Sequence, residues 1–364
     1  MNIIHVVEPF ASGIATFLRS LVENLQDDLH IIIHGERETV MRSSEVKRSF
    51  PTANTLFIRW PSAQRKISFW KDIVAFWELY TILRRLKHHS HIDAVHLHSS
   101  KSGFLGRLAC RLARINKVIY TPNGAPFLSG TSRWSNYVYG QLEKLGSYFG
   151  GRTVCCSASE WQVYQDLGID ADCINNGVRV ENAPAQTKTV AAASPPANKF
   201  RIVTSGRIVY QKDPALFNAI ASWFEEFDQF EFVWVGDGED KHELKAKNIV
   251  VTGWLPPDDI QDYLAGAHLY LSTSHFEGLP FSVLEALALK KPVLLKDCIG
   301  NRDLVHGGPN GDLFQDGKDA VLKIMRYYNN KNMLTVMGEY SRRICEEEFN
   351  VDTTFNSYRH LYKN

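Results

Sequence analysis

The sequence predicts an α/β protein of two doubly wound, Rossmann-like domains that face a central cleft. Three observations predict it. Apolar strand-like runs alternate with helical patterns through the first half of the chain. The same alternation restarts in the second half. Between them, residues 183–198 (APAQTKTVAAASPPAN) are rich in Ala, Pro, Ser and Thr and lack any apolar period, which reads as a linker. At 364 residues the chain is too long for one average domain and comfortable for two.

Taken in order, the opening run NIIHVV is a buried strand with no basic segment before it, so no signal peptide is expected. It leads through EPFASGIA into the helical TFLRSLVENL, and LHIIIHG follows as a second strand. Residues 65–90 place Trp70, Ile73, Val74, Trp77, Tyr80 and Leu83 at helical spacing, with Lys66, Lys71, Arg84, Arg85 and Lys87 alongside. A helix packed on the sheet is the plainer reading. The sharper one sets an edge of that helix against an anionic bilayer, with tryptophan at the interface. AVHLHSS then leads into GFLGRLACRLAR, and KVIYTPNG and RTVCCSAS complete a domain over residues 1–182. After the linker FRIVTSG precedes a helix from Pro214 to about Phe227. FEFVWVGDG, NIVVTGW, LYLST and KPVLLKD continue a second domain over 199–345. Residues 346–364 carry no strand signal and read as a terminal helix, expected to cross back to the first domain.

Composition narrows the partners. A hydrophobic content of 44%, a charged content of 22% and a net charge of +1 describe an ordinary globular protein and argue against nucleic acid. The charge is uneven: residues 1–185 hold 21 Lys and Arg against 16 Asp and Glu, the rest 20 against 24. That asymmetry suits a first half facing something anionic, such as a membrane surface or a lipid phosphate, although chance scatter would also produce it. The six cysteines form no CxxC pair and fit a reducing compartment, most of them as small core residues. No apolar run approaches a membrane span. The expectation is a cytoplasmic protein, peripheral at the inner face of the plasma membrane.

The densest chemical signals lie in the second domain, in loops that follow strands, where open α/β sheets bind ligands. SGRIVYQKDP brings two cations, Arg207 and Lys212, to a strand tip before a helix, which suits a diphosphate. Alone, the segment reads more readily as two ordinary surface cations. In YLSTSHFEGLPFSVLE an apolar run stops at Ser272, a loop holds Glu277, Gly278 and Pro280, and a helical pattern begins near Phe281. The N–H groups of Leu279, Phe281 and Ser282 and the positive helix end would attract phosphate oxygens. Glu285, one turn in, could accept from two ribose hydroxyls, or it could be a plain acid near a helix start.

FEGLPFSVLEA, with Glu277 and Glu285 in an E-x7-E spacing, joins the SGR…QK loop, VGDGE and VTGW in order. With SGIATFLRSL, HLHSSKSGFLGRLA, YTPNGAPF and INNGV, the chain resembles the retaining glycosyltransferases of family 4, which have the GT-B fold. The resemblance covers nearly the whole chain. It implies a hexose or N-acetylhexosamine moved from a nucleotide sugar, with uridine as the commonest base, to a glycan or lipid-linked hydroxyl in bacterial surface polysaccharide assembly. It implies that Arg207 and Lys212 bind the diphosphate, Glu285 the ribose, and Glu277 the transferred sugar. The amides of Gly278, Leu279 and Phe281 lie nearby, and Val235 to Gly238, hence Gly236, Asp237 and Gly238, border the base. Gly13, in the loop after the first strand, would let backbone approach the diphosphate. The leaving phosphate takes the acceptor's proton on the same face of the sugar, and the protein positions groups and stabilises charge. The one D-x-D, Asp170 to Asp172, is away from the phosphate loops and reads as solvated. Arg207, Lys212 and the helix end can neutralise the diphosphate, so no metal and no cofactor are expected.

Two features depart from the pattern. Relatives often carry TPHG where this chain has Asn123 in YTPNGAPF, and Asn cannot titrate. The first loop has a single glycine, Gly13, where relatives often have a pair. The first domain is expected to receive the acceptor, through Asn123, His98, Ser100 and Lys101, with Lys101 readable equally as a plain helix-start cation. His96 and His98 share a strand face and could be a metal pair, but the sequence offers no third ligand. A catalytically silent nucleotide-sugar-binding subunit and a GT-B sugar-nucleotide 2-epimerase are the alternative readings, and the second lacks this E-x7-E arrangement.

Overall fold

The computed structural model describes residues 1–8, 10–36, 43–64, 68–128, 132–180 and 198–364. The expected linker lies outside them apart from residue 198, and so does Lys66. The chain forms two compact units, Met1–Asn176 with Asp352–Asn364, and Gly177–Val351.

The first unit runs β1 (Asn2–Val7), α1 (Ser12–Asn24), β2 (Leu29–His34), α2 (Ser43–Arg48), β3 (Thr55–Arg59), α3 (Phe69–His89), β4 (Ala94–His98) and α4 (Ser100–Leu112). It continues with β5 (Val118–Thr121), α5 (Arg133–Ser147), β6 (Arg152–Cys155), α6 (Ala158–Asp166) and β7 (Ala171–Cys173). Among the described residues the strands pair in parallel in the order β3-β2-β1-β4-β5-β6-β7. Parallel strands must be covered on both faces. One face is apolar: Ile4, Val6, Ile33, Val95 and Leu97 pack under Ala75, Leu79 and Leu83 of α3 and Leu105 and Ala109 of α4. Small residues allow the close approach of α4. A Cβ on Gly103 would stand 2.2 Å from the Tyr120 ring, and one on Gly106 would stand 2.5 Å from Leu97.

The second unit runs β8 (Phe200–Ser205), α7 (Pro214–Ser222), β9 (Phe230–Val235), β10 (Ile249–Val251), α8 (Pro257–Ala265), β11 (Leu269–Ser272) and α9 (Phe281–Ala288). Then come β12 (Val293–Lys296), β13 (Gly311–Phe314), α10 (Gly317–Asn329) and α11 (Lys331–Glu348). Its parallel strand order is β10-β9-β8-β11-β12-β13. The last helix, α12 (Val351–Lys363), belongs almost wholly to the first unit, where Phe355 and Tyr358 lie against Phe17 of α1.

The two-sheet α/β architecture is the one the alternation predicts. Three strands escape sequence reading: β3, β7 and β13 are short edge strands, buried on too little surface to carry a long apolar run. The helix after Pro214 ends at Ser222 rather than near Phe227. Beyond it Phe224, Glu225 and Phe227 bond three residues back, a run of tight turns. No helix among the described residues is long and apolar enough to cross a membrane.

Candidate active site

In the second unit the loops after β8, β9, β11 and β12 meet at the carboxyl edge of the sheet, and their backbones touch. A Cβ on Gly236 (φ 145°) would lie 2.1 Å from the Gly206 carbonyl oxygen, and one on Gly238 would lie 2.2 Å from that of Ile208. Gly300 (φ 81°) is held as tightly against the Gly278 carbonyl. At Gly236 and Gly300 only glycine meets both the positive φ and the lack of room. Hydrogen bonds then fix the edges. Gly206 N–H donates to Val235 O at 3.0 Å, Ile208 N–H to Asp237 O at 2.9 Å, and the Trp234 indole to Gly206 O at 3.0 Å.

Glu277 sits in the loop between β11 and α9, and it is buried. Its Oε1 accepts from Lys212 Nζ at 2.7 Å, and its Oε2 from Gln211 Nε2 at 3.3 Å. Burial alone would lower the Lys212 ammonium. The Glu277 carboxylate, with help from the Tyr270 phenol, more than offsets this, and the net shift is upward, so the lysine is charged. The loop that carries Lys212 is pinned to the Glu277 loop by Thr273 Oγ1, which donates to Lys212 O at 2.7 Å. His275 N–H adds a bond to Gln211 O at 2.9 Å. Arg207 is half-buried in the same β8 loop. Asp237 turns its carboxylate to the Gly238 N–H at 2.9 Å and lies 3.5 Å from Lys241.

α9 begins at Phe281, as its pattern predicts, with no side-chain cap on Pro280. The first helical N–H groups therefore have no acceptor within the helix. Leu279 is buried and Phe281 half-buried, with Glu285 half-buried one turn on. Gly236, Asp237, Gly238, Arg207, Lys212, Glu277, Gly278, Leu279, Phe281 and Glu285 thus share one sheet edge. Guanidinium, ammonium and helix-start amides can hold a diphosphate there, and carboxylates can accept from hydroxyls.

Sequence reading missed the groups that brace this edge. Asp213 (φ 52°) caps α7 through Leu216 N–H at 3.1 Å, and its other oxygen meets Lys296 at 3.2 Å and His275 at 3.3 Å. The D-P pair before the helix was the available signal for the cap. Lys296 and His275 left none.

In the first unit the expected acceptor residues scatter. Asn123 adopts a left-handed conformation (φ 57°), which Asn tolerates better than most residues, and its Nδ2 bonds back to Thr121 O at 3.1 Å. The turn is held by a residue the sequence did not single out. Glu160, fully buried in α6, accepts from Gly124 N–H at 2.7 Å and from Cys156 N–H at 2.8 Å. Its S-x-x-E spacing from the cap Ser157 was legible as a helix start only. Ser100 opens α4 and is half-buried. Lys101 points instead to Asp72 of α3, 2.7 Å away and largely buried, so its expected acceptor role gives way to a tie between two helices. Gly13 is exposed within the first turn of α1, which starts at Ser12 directly after the β1 loop. Asp172 is not simply solvated, since it pairs with Arg152, Nη2 to Oδ1 at 2.8 Å.

His98 is the largest correction. It is fully buried in the second face of the first sheet, beneath α1 and α12, and cannot touch an acceptor. The missing third histidine is His5, brought beside His96 by the β1–β4 register. The nitrogen atoms of His5, His96 and His98 that could hold a metal ion lie within 4.8 Å of one another. In the structure these rings bond mainly to protein. His5 Nδ1 meets His98 Nε2 at 3.2 Å and His5 Nε2 meets His30 Nδ1 at 3.1 Å. His96 lies between Tyr362 Oη at 2.6 Å and Thr121 Oγ1 at 2.8 Å. His98 Nδ1 has no partner.

Burial lowers the imidazoles of His5, His30, His96 and His98, with repulsion between neighbouring rings adding at His5 and His96, and His98 is brought to about 3. Unfolded, they titrate near 6.5. The native state therefore binds fewer protons. The stability these rings contribute is complete above about pH 6.5 and is lost as pH falls towards 3. Glu143, raised to about 7 chiefly by burial, works in the opposite sense: its contribution is held in acid and lost as pH rises through 7. Several imidazoles outweigh one carboxyl. The urea midpoint is expected to be lower at pH 5 than at pH 7.5, and equal midpoints would mean that the rings carry charge in the fold.

Comparisons with known proteins bear on both units. The model for glycosyltransferase family 4 matches residues 11–182, and that for glycosyl transferases group 1 matches residues 186–344. The chain is 29% identical over 323 residues to an Escherichia coli protein named UDP-Gal:alpha-D-GlcNAc-diphosphoundecaprenol alpha-1,3-galactosyltransferase, covering 83% of this chain and 82% of that one. It is 26% identical over 386 aligned positions to an uncharacterized 41.2 kDa protein in the cps region of Klebsiella pneumoniae, covering 100% and 99%. Among solved structures it superposes on Anabaena HepE in complex with UDP and glucose with a TM-score of 0.79 at 16% identity, covering 99% and 98%. For a sucrose-phosphate synthase of Thermosynechococcus elongatus the TM-score is 0.81 at 14% identity, covering 100% and 98%. At those identities the superpositions speak for the GT-B fold alone.

Proposed function

Because the chain belongs to the family 4 glycosyltransferases, we propose that it moves a hexose or N-acetylhexosamine from a UDP-sugar to a lipid-linked glycan hydroxyl, with retention at the anomeric carbon. The setting is surface polysaccharide assembly of the O-antigen or capsule type. The Lys212–Glu277 pair beside the start of α9 carries the reading. It sets a cation where a diphosphate would lie and a carboxylate one step beyond, where a sugar would lie.

Arg207, Lys212 and the N–H groups at the start of α9 take up the charge that develops on the leaving UDP. Glu285 holds the ribose, Glu277 orients the sugar, and Gly236 to Gly238 border the base. Asn123, fixed in its left-handed turn by the Thr121 carbonyl while Glu160 holds Gly124, offers a non-titrating amide to the acceptor. No side chain is asked to act as nucleophile. The acceptor proton passes to a leaving phosphate oxygen as the new bond forms on the face the old one leaves. These cations make a bound metal unnecessary. The name of the E. coli relative puts UDP-galactose and a GlcNAc-diphospholipid first among substrates to try.

A panel of UDP-galactose, UDP-glucose, UDP-N-acetylglucosamine and GDP-mannose with a GlcNAc-diphosphoryl lipid analogue tests the proposal. One UDP-sugar is expected to give an α-linked product, read from the small H1–H2 coupling, at a rate that EDTA leaves unchanged. A β-linked product, or transfer only with added divalent metal, would refute it.

A further inference from the structure

Lys212 stands on a turn that its own sequence disfavours. It ends a single 3₁₀ turn, Tyr210–Lys212, and Asp213 follows at φ 52° and ψ 65° before α7 begins at Pro214. Left-handed backbone is costly for a residue with a Cβ, though less so for Asp than for most. A proline also favours extended backbone at the residue before it. Among the described residues five other than glycine have positive φ, and of these Asp213 alone precedes a proline. Strain of this kind persists only where the surroundings over-determine it.

Here they do. The Thr273 hydroxyl is shared between the carbonyls of Lys212 at 2.7 Å and Asp213 at 3.1 Å, and Asp213 N–H closes the turn on Tyr210 O at 3.0 Å. The Asp213 carboxylate is held on both oxygens. Oδ1 accepts from Leu216 N–H, and Oδ2 meets Lys296 Nζ at 3.2 Å and His275 Nε2 at 3.3 Å. Lys296 Nζ also lies 3.3 Å from His275 Nδ1. An ammonium can only donate, so Nδ1 carries the lone pair and leaves Nε2–H to face Asp213. Burial lowers this imidazole and outweighs the pull of Asp213, in keeping with a neutral ring.

Capping α7 does not call for this arrangement. Ser132, Ser157 and Asp316 cap α5, α6 and α10 from extended backbone, at φ −140°, −153° and −143°. What the left-handed turn adds is a reversal between Lys212 and α7. The lysine stem then lies along the backbone of Gly206, where a Cβ would stand 3.4 Å from Lys212 Cε, and Nζ reaches Glu277 at 2.7 Å. An acid next to such a lysine would repel an anionic ligand, and Lys296 cancels its charge. We propose that Asp213 is the positioning residue of Lys212: its left-handed turn aims the ammonium, and Lys296, His275 and Thr273 hold that turn in place. That the aimed ammonium meets a diphosphate rests on the transferase reading. The hold on the Lys212–Glu277 pair does not.

Isothermal titration of the full chain with UDP reads the aim. Asp213→Ala and Asp213→Gly both delete the carboxylate, but only glycine takes the left-handed turn freely. Asp213→Ala is expected to weaken UDP binding at least about tenfold and to slow turnover about 10²-fold. Asp213→Gly should bind UDP within about threefold of the wild type. Lys296→Met reaches the turn from outside: it should weaken UDP about tenfold, and adding Asp213→Gly should restore it. A second readout needs no nucleotide. The coupling between Lys212→Ala and Glu277→Gln, from urea midpoints of the single and double variants, should shrink when Asp213→Ala or Lys296→Met is added. Loss of a helix cap alone would leave that coupling unchanged. Equal UDP affinity for Asp213→Ala and Asp213→Gly, no recovery in the Lys296→Met/Asp213→Gly variant, or an undiminished coupling would each overturn the proposal. Should the wild type bind no UDP while the coupling shrinks, the transferase reading fails and the positioning stands.

Discussion

Lys212→Ala is expected to abolish transfer with every donor and to lower stability as well. The ammonium is charged, largely buried and 2.7 Å from Glu277, and under the proposed function it meets the diphosphate common to all nucleotide sugars. Removing one preorganised charge stabiliser costs about 10²–10³ in turnover, and weaker donor binding adds to that. The stability effect comes from Glu277, left buried without its main partner. A fully buried pair broken on one side loses about 3–5 kcal/mol, but the lysine is 19% exposed and Gln211 still donates, so about 2 kcal/mol is the better figure here. The two effects can be separated. Adding Glu277→Gln to Lys212→Ala removes the stranded charge, and should recover most of the lost urea midpoint and none of the activity. If activity returned with stability, the lysine would be a structural counter-ion only.

Glu277→Ala should also be severe, for a different reason. Turnover is expected to fall by about 10²–10³ while UDP still binds, as tightly as before or more so, because an anion has been taken from beside Lys212. Isothermal titration with UDP and with the intact donor distinguishes the roles. Loss confined to the sugar-bearing ligand and to the rate places the carboxylate on the sugar. Loss of UDP affinity itself would make Glu277 the device that holds Lys212 in position, and ordinary transfer by the variant would remove it from the site altogether. Gln211 survives either substitution and holds the Phe276 carbonyl at 3.1 Å, so the loop should keep its path.

The sequence exposed the second sheet edge far better than the first. There the chemistry is written locally: strand end, glycine, charged residue and helix start follow one another within a few positions, and SGRIVYQKDP and FEGLPFSVLE, each ambiguous alone, point to one site when taken together in order. The first unit spreads its functions across strands. His5, His30, His96 and His98 come together only because β1, β2 and β4 are neighbours, a register that no local pattern encodes. His98 therefore looked available when it is core. Lys101 misled for a similar reason, since its partner Asp72 lies 29 residues away on another helix. Alternation on a strand told which face His96 and His98 share, but not whether water or α12 covers that face. Edge strands such as β7 and β13, three and four residues long, lie below what periodicity can resolve.

The last helix imposes an order on how the molecule can be made. Tyr362 bonds to His96 at 2.6 Å, and Lys117 donates to the Tyr362 carbonyl at 3.1 Å, so residues near position 100 are completed by residues near the end. A ribosome delivers the amino-terminal half first, yet that half meets its final cover only after α12 has left the ribosome. Until then the imidazole face of the nascent first sheet stays wet, and the carboxyl-terminal unit, whose strands are all contiguous in the message, can close ahead of it. Premature stop codons that spare the entire second sheet would thus injure the beginning of the chain.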